Sequence, residues 1–349
     1  MPLSFRFCFA VLASLLLAGG ALAQNPESQP SSGPQAEQQR QAQQPGNNAP
    51  VWRDVRKEGQ ANTTTVQGRE TGVLVQSAGD TWRRIRNGPV TFYGGWLIVV
   101  VCLIISALYF GRGPIKLHEK PTGRTLQRFS DFERIVHWSA AISFCVLGLS
   151  GLVMLFGKHV LLPVIGYTLF GWLTALGKNL HNFIAPFFIV SVLVMAFIWA
   201  RDNLPKSYDW QWFGKMWAFF MRGEHVPSGR FNAAEKAWFW LGVVLLSVAM
   251  AWSGVVLLFP NFDQTRATMQ EAWIWHATAA MLYVVAALGH IYMGTIGVEG
   301  AYRNMREGVT DETWAREHHE IWYNEVKSGK RDAASGAVPA GAPRMKEKS

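Results

Sequence analysis

Five long apolar segments constrain the fold of this chain more than any other feature of its sequence. Each is close to the roughly 20 residues that a helix needs to cross a bilayer, and they span residues 92–110, 136–157, 180–200, 237–259 and 272–297. Only 16% of the 349 residues are charged, whereas soluble domains carry about 25%. Trp and Tyr cluster at the segment ends, as they do at membrane interfaces. We therefore predict an all-α membrane protein with five crossings of a lipid bilayer.

The two ends of the chain have a different composition. Residues 1–23 are typical of a secretory signal peptide, with Arg6 before an apolar stretch and the A-x-A sequence Ala21-Leu22-Ala23 at the end. Residues 24–91 are expected to be an exported polar segment, and its start is rich in Gln, Pro and Ser and therefore disordered. Residues 327–349 are expected to form a disordered cytoplasmic tail.

The distribution of Lys and Arg predicts the orientation of the crossings. The connections 111–135 and 201–236 hold six each and the part after 297 holds nine, whereas 158–179 and 260–271 hold two and one. Because basic residues concentrate in cytoplasmic loops, we expect an exported N-terminus and a cytoplasmic C-terminus. Topology thus accounts for the net charge of +9, and nucleic acid is not an expected partner.

Residues 160–177 form a sixth apolar stretch, interrupted by Pro163, Gly166 and Gly171. A sixth crossing at this place would move the basic connection 201–236 to the outside and spoil the charge alternation. We therefore expect an interfacial or short re-entrant helix on the exported side.

Four of the nine histidines fall within membrane segments, where ionisable side chains are costly and therefore functional candidates. His276 and His290 lie 14 residues apart on the last crossing, which is about 21 Å along one face of a helix. The predicted topology puts His181 at the depth of His276, near the exported surface, and His137 at the depth of His290, near the cytoplasm. Two stacked histidine pairs are therefore predicted.

Two such pairs favour two b-type haems, because six-coordinate iron between two imidazoles suits electron transfer. Imidazole also binds Cu and Zn, but two histidines leave such an ion under-ligated unless a macrocycle adds four nitrogens. The sequence has no CxxCH, which excludes thioether-attached haem. A haem-free transporter with structural histidines is the alternative from another class, although no inverted repeat or pair of broken helices is evident.

Further polar and small residues have less specific expectations. The loop and tail histidines are expected to be solvated, and the acidic residues near the cytoplasmic face to be ordinary interfacial charges rather than proton relays. Small residues near the histidine pairs are expected to let backbones or a flat ring approach. The loop and tail histidines are His118, His159, His225, His318 and His319. The acidic residues are Asp131, Glu133 and Glu235. The small residues are Gly148, Ser150, Gly151, Gly289, Gly294 and Gly297.

Several stretches between residues 129 and 326 match one known family in order and spacing. They are Phe132-Glu133-Arg134 with His137-Trp138, Leu149-Ser150-Gly151, Asn179-Leu180-His181, Arg230-Phe231-Asn232-Ala233-Ala234-Glu235-Lys236, Ile274-Trp275-His276, His290-Ile291-Tyr292-Met293, Met305-Arg306-Glu307-Gly308 and His318-His319-Glu320-Ile321-Trp322-Tyr323. In these stretches the chain resembles the cytochrome b (gamma) subunit of membrane-bound respiratory formate dehydrogenase.

The resemblance implies a four-helix transmembrane dihaem cytochrome b bundle, which we expect at residues 111–326, with 92–110 as an extra N-terminal helix. The implied axial ligands of the two haems b are again His181 with His276 and His137 with His290. A quinone site is implied beside the cytoplasmic haem, contacted by Asn232 and the neighbourhood of His290. Asn232 is also well placed to cap the helix that follows it.

The resemblance also implies an electron-transfer subunit of a formate:quinone oxidoreductase in a bacterial inner membrane, with the N-terminus in the periplasm. Electrons would pass from a periplasmic iron–sulfur (beta) subunit through the two haems to quinone on the cytoplasmic side. Formate would be oxidised in a molybdenum or tungsten catalytic (alpha) subunit, because this chain has no Mo or Fe–S ligand pattern. The cytochrome b of a hydrogenase or thiosulfate reductase is the alternative with similar chemistry.

Overall fold

The computed structural model describes residues 78–331 apart from 261 and 263. The expected signal peptide, most of the polar segment and the tail after 331 lie outside the described residues. The helices are α1 (Gly79–Arg112), α2 (Asp131–Val160), α3 (Leu162–Trp199), α4 (Ser207–Arg222), α5 (Ala233–Leu258), α6 (Arg266–Gly297), α7 (Ala301–Glu307), α8 (Glu312–His318) and α9 (Glu320–Lys327). Two strands, β1 (Thr125–Gln127) and β2 (Val309–Asp311), precede α2 and α8.

Five of the described helices, α1, α2, α3, α5 and α6, are long and apolar enough to cross a membrane. Capping boxes start two of them: Ser130 and Glu133 bond reciprocally at the start of α2, and Asn232 and Glu235 do so at the start of α5. These bonds satisfy N–H groups that the first helical turn leaves without partners. The prediction of an all-α membrane protein is confirmed.

Two helices differ from the predicted segments. The first membrane helix begins at Gly79 and not at residue 92, since a π-helical turn joins residues 79–85 to the apolar part without a break. Residues 160–177 are not a separate interfacial helix, because they continue into α3 with one interruption at Gly166, whose φ is 74°. From there to Trp199 the helix is about 50 Å long, so it extends beyond a hydrocarbon core of about 30 Å.

The core of the bundle lies between α2, α3, α5 and α6. Phe188 and Tyr283 are buried there and pack against Phe144, which is partly buried. The opposite faces of the helices expose large apolar side chains such as Ile142 and Leu193. Large exposed apolar faces of this kind indicate contact with a membrane or a partner, and on helices of this length they are the faces expected to meet lipid.

The three connections richest in Lys and Arg meet in one layer at the end of the bundle where α2 and α5 begin. We call residues 113–130, 200–232 and 298–331 the charged layer. Within it β1 pairs antiparallel with β2, and Ile115 forms a bridge with Val298. Gly308 has a φ of 81°, and a Cβ there would lie 2.7 Å from the carbonyl oxygen of Phe129, so this close approach requires glycine.

The chain divides into two compact units, Met1–Thr81 with Phe259–Gln270 and Trp82–Leu258 with Glu271–Ser349. The described part of the first unit is the start of α1, the turn after α5 and the first turn of α6. The second unit holds the helix bundle and the charged layer, and every residue discussed below belongs to it.

Candidate functional site

One histidine pair lies in the half of the bundle away from the charged layer. The ring centres of His181 from α3 and His276 from α6 are 6.1 Å apart. Ser150 Oγ lies 2.9 Å from Nδ1 of His181, and Ser253 Oγ lies 3.0 Å from Nδ1 of His276. Each of the helices α2, α3, α5 and α6 thus contributes one residue to this arrangement, which we call the far pair and its serines.

The serines determine which ring nitrogen carries the proton. Ser150 Oγ donates to the carbonyl of Val146 at 2.7 Å, and Ser253 Oγ donates to that of Ala249 at 2.6 Å. Because each hydroxyl hydrogen is used in this way, its oxygen accepts from Nδ1–H of the adjacent imidazole. The Nε2 atoms of the far pair therefore keep their lone pairs, which is the form of histidine that binds metals.

A glycine follows each serine and makes room for the imidazole. A Cβ at Gly151 would lie 3.5 Å from Cε1 of His181, and one at Gly254 would lie 3.3 Å from Cε1 of His276. The second Ser-Gly dipeptide is absent from the predicted set of small residues. Its signal in the sequence is that it repeats the first Ser-Gly dipeptide on another membrane helix.

The second histidine pair lies beside the charged layer, and we call it the near pair. The ring centres of His137 from α2 and His290 from α6 are 6.3 Å apart. The indole of Trp238 stacks on His290 at 4.8 Å with an interplanar angle of 12°. Nδ1 of His137 is buried and has no hydrogen-bond partner among the described residues, and such atoms call for a partner other than protein.

Aromatic side chains fill the space between the two pairs. Tyr283 lies on α6 midway between its two histidines, seven residues from each. Its ring packs 4.8 Å from Phe144 and 6.3 Å from Phe188, and its hydroxyl lies 2.8 Å from that of Ser247. The two histidine pairs are therefore separated by packed protein.

Both pairs fit a six-coordinate metal between two imidazoles. Each metal–nitrogen bond is about 2 Å long, and each nitrogen lies about 1 Å from the centre of its ring. The centres of two imidazole rings that bind one metal ion from opposite sides are therefore about 6 Å apart. The measured separations are 6.1 Å and 6.3 Å. Two imidazoles complete the coordination of an ion whose other four positions are taken by a porphyrin, so the residues present fit haem b.

Ion pairs hold the charged layer against the bundle. The side chain of Arg230 is 2% exposed and pairs with Glu133 and Asp202, each at 2.8 Å. Trp199 Nε1 donates to Glu133 Oε1 at 2.8 Å. The prediction of an ordinary interfacial charge is therefore wrong for Glu133, which is buried in a network, and holds for Asp131, which is 88% exposed.

Asn232 begins α5 in the charged layer. Its Oδ1 accepts from the backbone N–H of Glu235 at 2.9 Å, and the Glu235 carboxylate accepts from the N–H of Asn232 at 2.8 Å. The predicted N-cap is therefore confirmed. The same carboxylate pairs with Arg128 at 3.2 Å and lies 4.0 Å from Nε2 of His319, so Glu235 also acts as part of the ion-pair network.

Two histidines that were expected to be solvated are buried, and the expectation is wrong for them. His318 and His319 are 7% and 1% exposed, and Trp314 packs on both rings. Burial and the nearby Arg128 guanidinium hold the pKa of His319 well below its usual range. The ring is therefore uncharged, and its Nδ1 donates to the Gly229 carbonyl at 2.7 Å.

The other predicted small residues differ from one another. A Cβ at Gly297 would lie 2.9 Å from Tyr292, so close packing explains this glycine. At Gly148, Gly289 and Gly294 such a Cβ would meet no atom of another described helix within 4 Å. Helix-to-helix packing therefore does not account for these three glycines.

Comparison with known proteins identifies the family. The model of the prokaryotic cytochrome b561 family matches residues 128–308, which contain both histidine pairs. The formate dehydrogenase cytochrome b556(fdo) subunit of Escherichia coli K12 is 30% identical over 206 residues, covering 58% of this chain and 94% of the relative. The nitrate-inducible formate dehydrogenase cytochrome b556(Fdn) subunit of the same strain is 27% identical over 225 residues, covering 61% and 98%.

These relatives confirm the resemblance drawn from the sequence, and the family implies haem b. The matching part begins after α1, so α1 and the residues before it lie outside the family match. The chain belongs to the prokaryotic cytochrome b561 family of electron-transferring membrane cytochromes b.

Proposed function

We propose that this chain is the membrane-anchoring cytochrome b subunit of a formate dehydrogenase. In this proposal an iron–sulfur subunit delivers the electrons, and formate is oxidised in a third subunit that holds molybdenum or tungsten. The names of two relatives, matched over nearly their whole length, support formate dehydrogenase over hydrogenase or thiosulfate reductase. The family match argues against a haem-free transporter.

We assign His181 and His276 to one haem b and His137 and His290 to a second. The observation that carries this assignment is that α6 holds two histidines 14 residues apart, each about 6 Å from a histidine of another helix. When bound, such a haem supplies one-electron transfer with no open position for oxygen.

The residues of the chain prepare these two sites differently. At the far pair, Ser150 and Ser253 hold the proton on Nδ1 and leave Nε2 available. At the near pair, Trp238 covers one face of His290 and limits its movement. Tyr283, buried between the pairs, excludes water from the interior.

We infer that the charged layer faces the cytoplasm and that the signal peptide exports the N-terminus. The support is that the described parts of the three basic connections, with four, five and six Lys and Arg residues, belong to this one layer. The far pair would then receive electrons near the periplasm, and quinone would be reduced beside the near pair. Proton uptake from the cytoplasm would make the overall transfer charge-separating.

Asn232 and the neighbourhood of His290 are the proposed quinone contacts. The Oδ1 atom of Asn232 is used as a helix cap, so the NH₂ group of the same side chain is the donor offered to a quinone carbonyl. Glu235 and His319, 4.0 Å apart, are ionisable groups next to this position, and Arg128 pairs with the same Glu235 carboxylate at 3.2 Å.

Haem content tests the central assignment. The purified full-length chain should give two haems b per polypeptide in a pyridine haemochrome assay. His276→Ala should lose one haem and keep the other, and His159→Ala, which changes an exposed histidine, should keep both. A wild-type chain without haem, or a His276→Ala variant that retains two, would contradict the proposal.

A separate measurement tests which electron donor the complex uses. Membranes that contain the intact complex should reduce quinone with formate as the donor, and Asn232→Ala should slow this reaction without removing haem. Quinone reduction with hydrogen instead of formate would favour a hydrogenase, and quinol oxidation coupled to thiosulfate reduction would favour a thiosulfate reductase.

A further inference from the structure

A histidine and glutamate cluster lies in the charged layer, outside the membrane-spanning helices. His118 comes from the connection after α1, His225 from the connection after α4, and Glu317 from the end of α8. Nε2 of His225 lies 3.3 Å and Nδ1 of His118 lies 3.9 Å from Oε2 of Glu317. The three potential ligand atoms all lie within 4.8 Å of one another.

These separations are close to those of a tetrahedral metal site. Ligand atoms bound at about 2.0–2.1 Å to one zinc ion lie about 3.3 Å apart. Two imidazole nitrogens and one carboxylate oxygen form a donor set that zinc and similar divalent ions accept.

Unpartnered polar atoms are a second, independent observation at this place. The side chain of His225 is only 11% exposed, yet neither of its ring nitrogens makes a hydrogen bond within the described part of the chain. Nε2 has the 3.3 Å contact with Glu317, whereas Nδ1 has no partner there. The adjacent ring of His318, with its centre 4.4 Å away, is 7% exposed, and its Nε2 is also without a partner there. Buried polar groups are nearly always satisfied, so such atoms point to a water or an ion.

The carboxylate is already held in place by backbone groups. The side chain of Glu317 is 10% exposed, and it accepts from the N–H groups of His118 and Glu119, both at 2.9 Å. These bonds orient the acidic ligand and bring the connection after α1 to it. A metal ion at this place would have one ligand from the connection after α1, one from the connection after α4 and one from the end of α8.

We propose that His118, His225 and Glu317 bind one divalent transition-metal ion of the zinc class. The ion ties the connections after α1 and α4 to the end of α8, and a water completes the fourth position. This site is separate from the haem assignment and does not depend on it. Because the three ligands come from segments far apart in sequence, metal binding stabilises their association by mass action.

Zinc binding by the haem-loaded full-length chain tests the proposal. The protein is purified with a tag free of histidine, treated with a chelator, dialysed against defined free Zn²⁺, and assayed for zinc per polypeptide by mass spectrometry. The wild type should bind one zinc ion. His118→Ala and Glu317→Gln should weaken binding by more than about 100-fold, since loss of partners outside the ligand set alone costs 10–100-fold.

His118 provides the most direct variant, because its side chain is 62% exposed and its replacement leaves the core unchanged. His159→Ala is the matched control, since this histidine is exposed and lies at the end of α2. Zinc should also protect residues 113–124 from protease in the wild type and not in His118→Ala. Equal zinc affinity of the wild type and His118→Ala, or no zinc bound by the wild type, would overturn the proposal.

Discussion

The hydroxyl oxygen of Ser253 lies 3.0 Å from Nδ1 of His276. The contact of Ser150 with His181 at 2.9 Å repeats it on another helix pair. In both cases the hydroxyl already donates to its own helix, so it accepts from the imidazole and orients it. Outer partners of this kind tune both the affinity and the redox potential of a metal site.

Removing these serines should weaken one haem selectively. In Ser150→Ala or Ser253→Ala the far-pair site should bind haem about 10–100-fold more weakly and lose it to a competing apoprotein, because hydrogen bonds to ligand imidazoles contribute that much to affinity. Haem transfer followed by absorption measures it. Ser143→Ala is the control, since Ser143 makes the same helical hydrogen bond at 2.6 Å. Equal loss of both haems would contradict the selective role.

Trp238 should matter for the near pair and not for the far pair. Trp238→Leu removes the ring that stacks on His290. Such aromatic contacts contribute about 0.5–1.5 kcal/mol, so the near-pair haem should dissociate roughly 2- to 10-fold more readily. Trp172→Leu, which alters an indole that is 74% exposed, should have no effect. Low-temperature spectra resolve which of two haems changes, and a change in the far haem alone would refute this prediction.

The bundle could be predicted from the sequence because its signals are local or periodic. Apolar length predicted the five long apolar helices, and helix geometry put His276 and His290 on one face. The structure brings the predicted partners to both of them, and their role as haem ligands remains a prediction. The orientation predicted from the basic residues stays a prediction. The continuation of α3 through residues 167–177 was not predicted, because only one of its three glycine or proline interruptions, Gly166, leaves the helical region.

The charged layer was less predictable, because long-range contacts create its burial. His319 is buried by its bond to Gly229, which lies 90 residues away. Glu312 meets Arg124 across 188 residues. Neither contact leaves a periodic pattern in the sequence, so polar residues of this layer look like solvated tail residues when they are considered one by one.

Breaking the buried ion pair of the charged layer should destabilise the protein strongly. Arg230→Met leaves the carboxylate of Glu133, which is 11% exposed, without its main partner. Loss of one member of a buried pair costs about 3–5 kcal/mol. Chemical unfolding in detergent micelles measures this free energy. Lys215→Met, which breaks an exposed pair, should cost less than about 1 kcal/mol, and equal costs for the two variants would contradict the argument.

Glu312 should make the charged layer sensitive to acid. Burial alone raises the pKa of this carboxyl, but hydrogen bonds from Lys327, Tyr323 and Arg124 outweigh it and lower the pKa from 4.5 to about 2. A carboxyl with a lowered folded-state pKa stabilises the fold above its unfolded pKa, and this contribution disappears as the pH falls from about 4.5 towards 2. The melting temperature of Glu312→Gln should therefore lie below that of the wild type at pH 7 and approach it at pH 3. Glu320→Gln, at an exposed position, should show no such convergence, and a pH-independent difference for Glu312→Gln would mean that the ionised carboxylate is not what stabilises this layer.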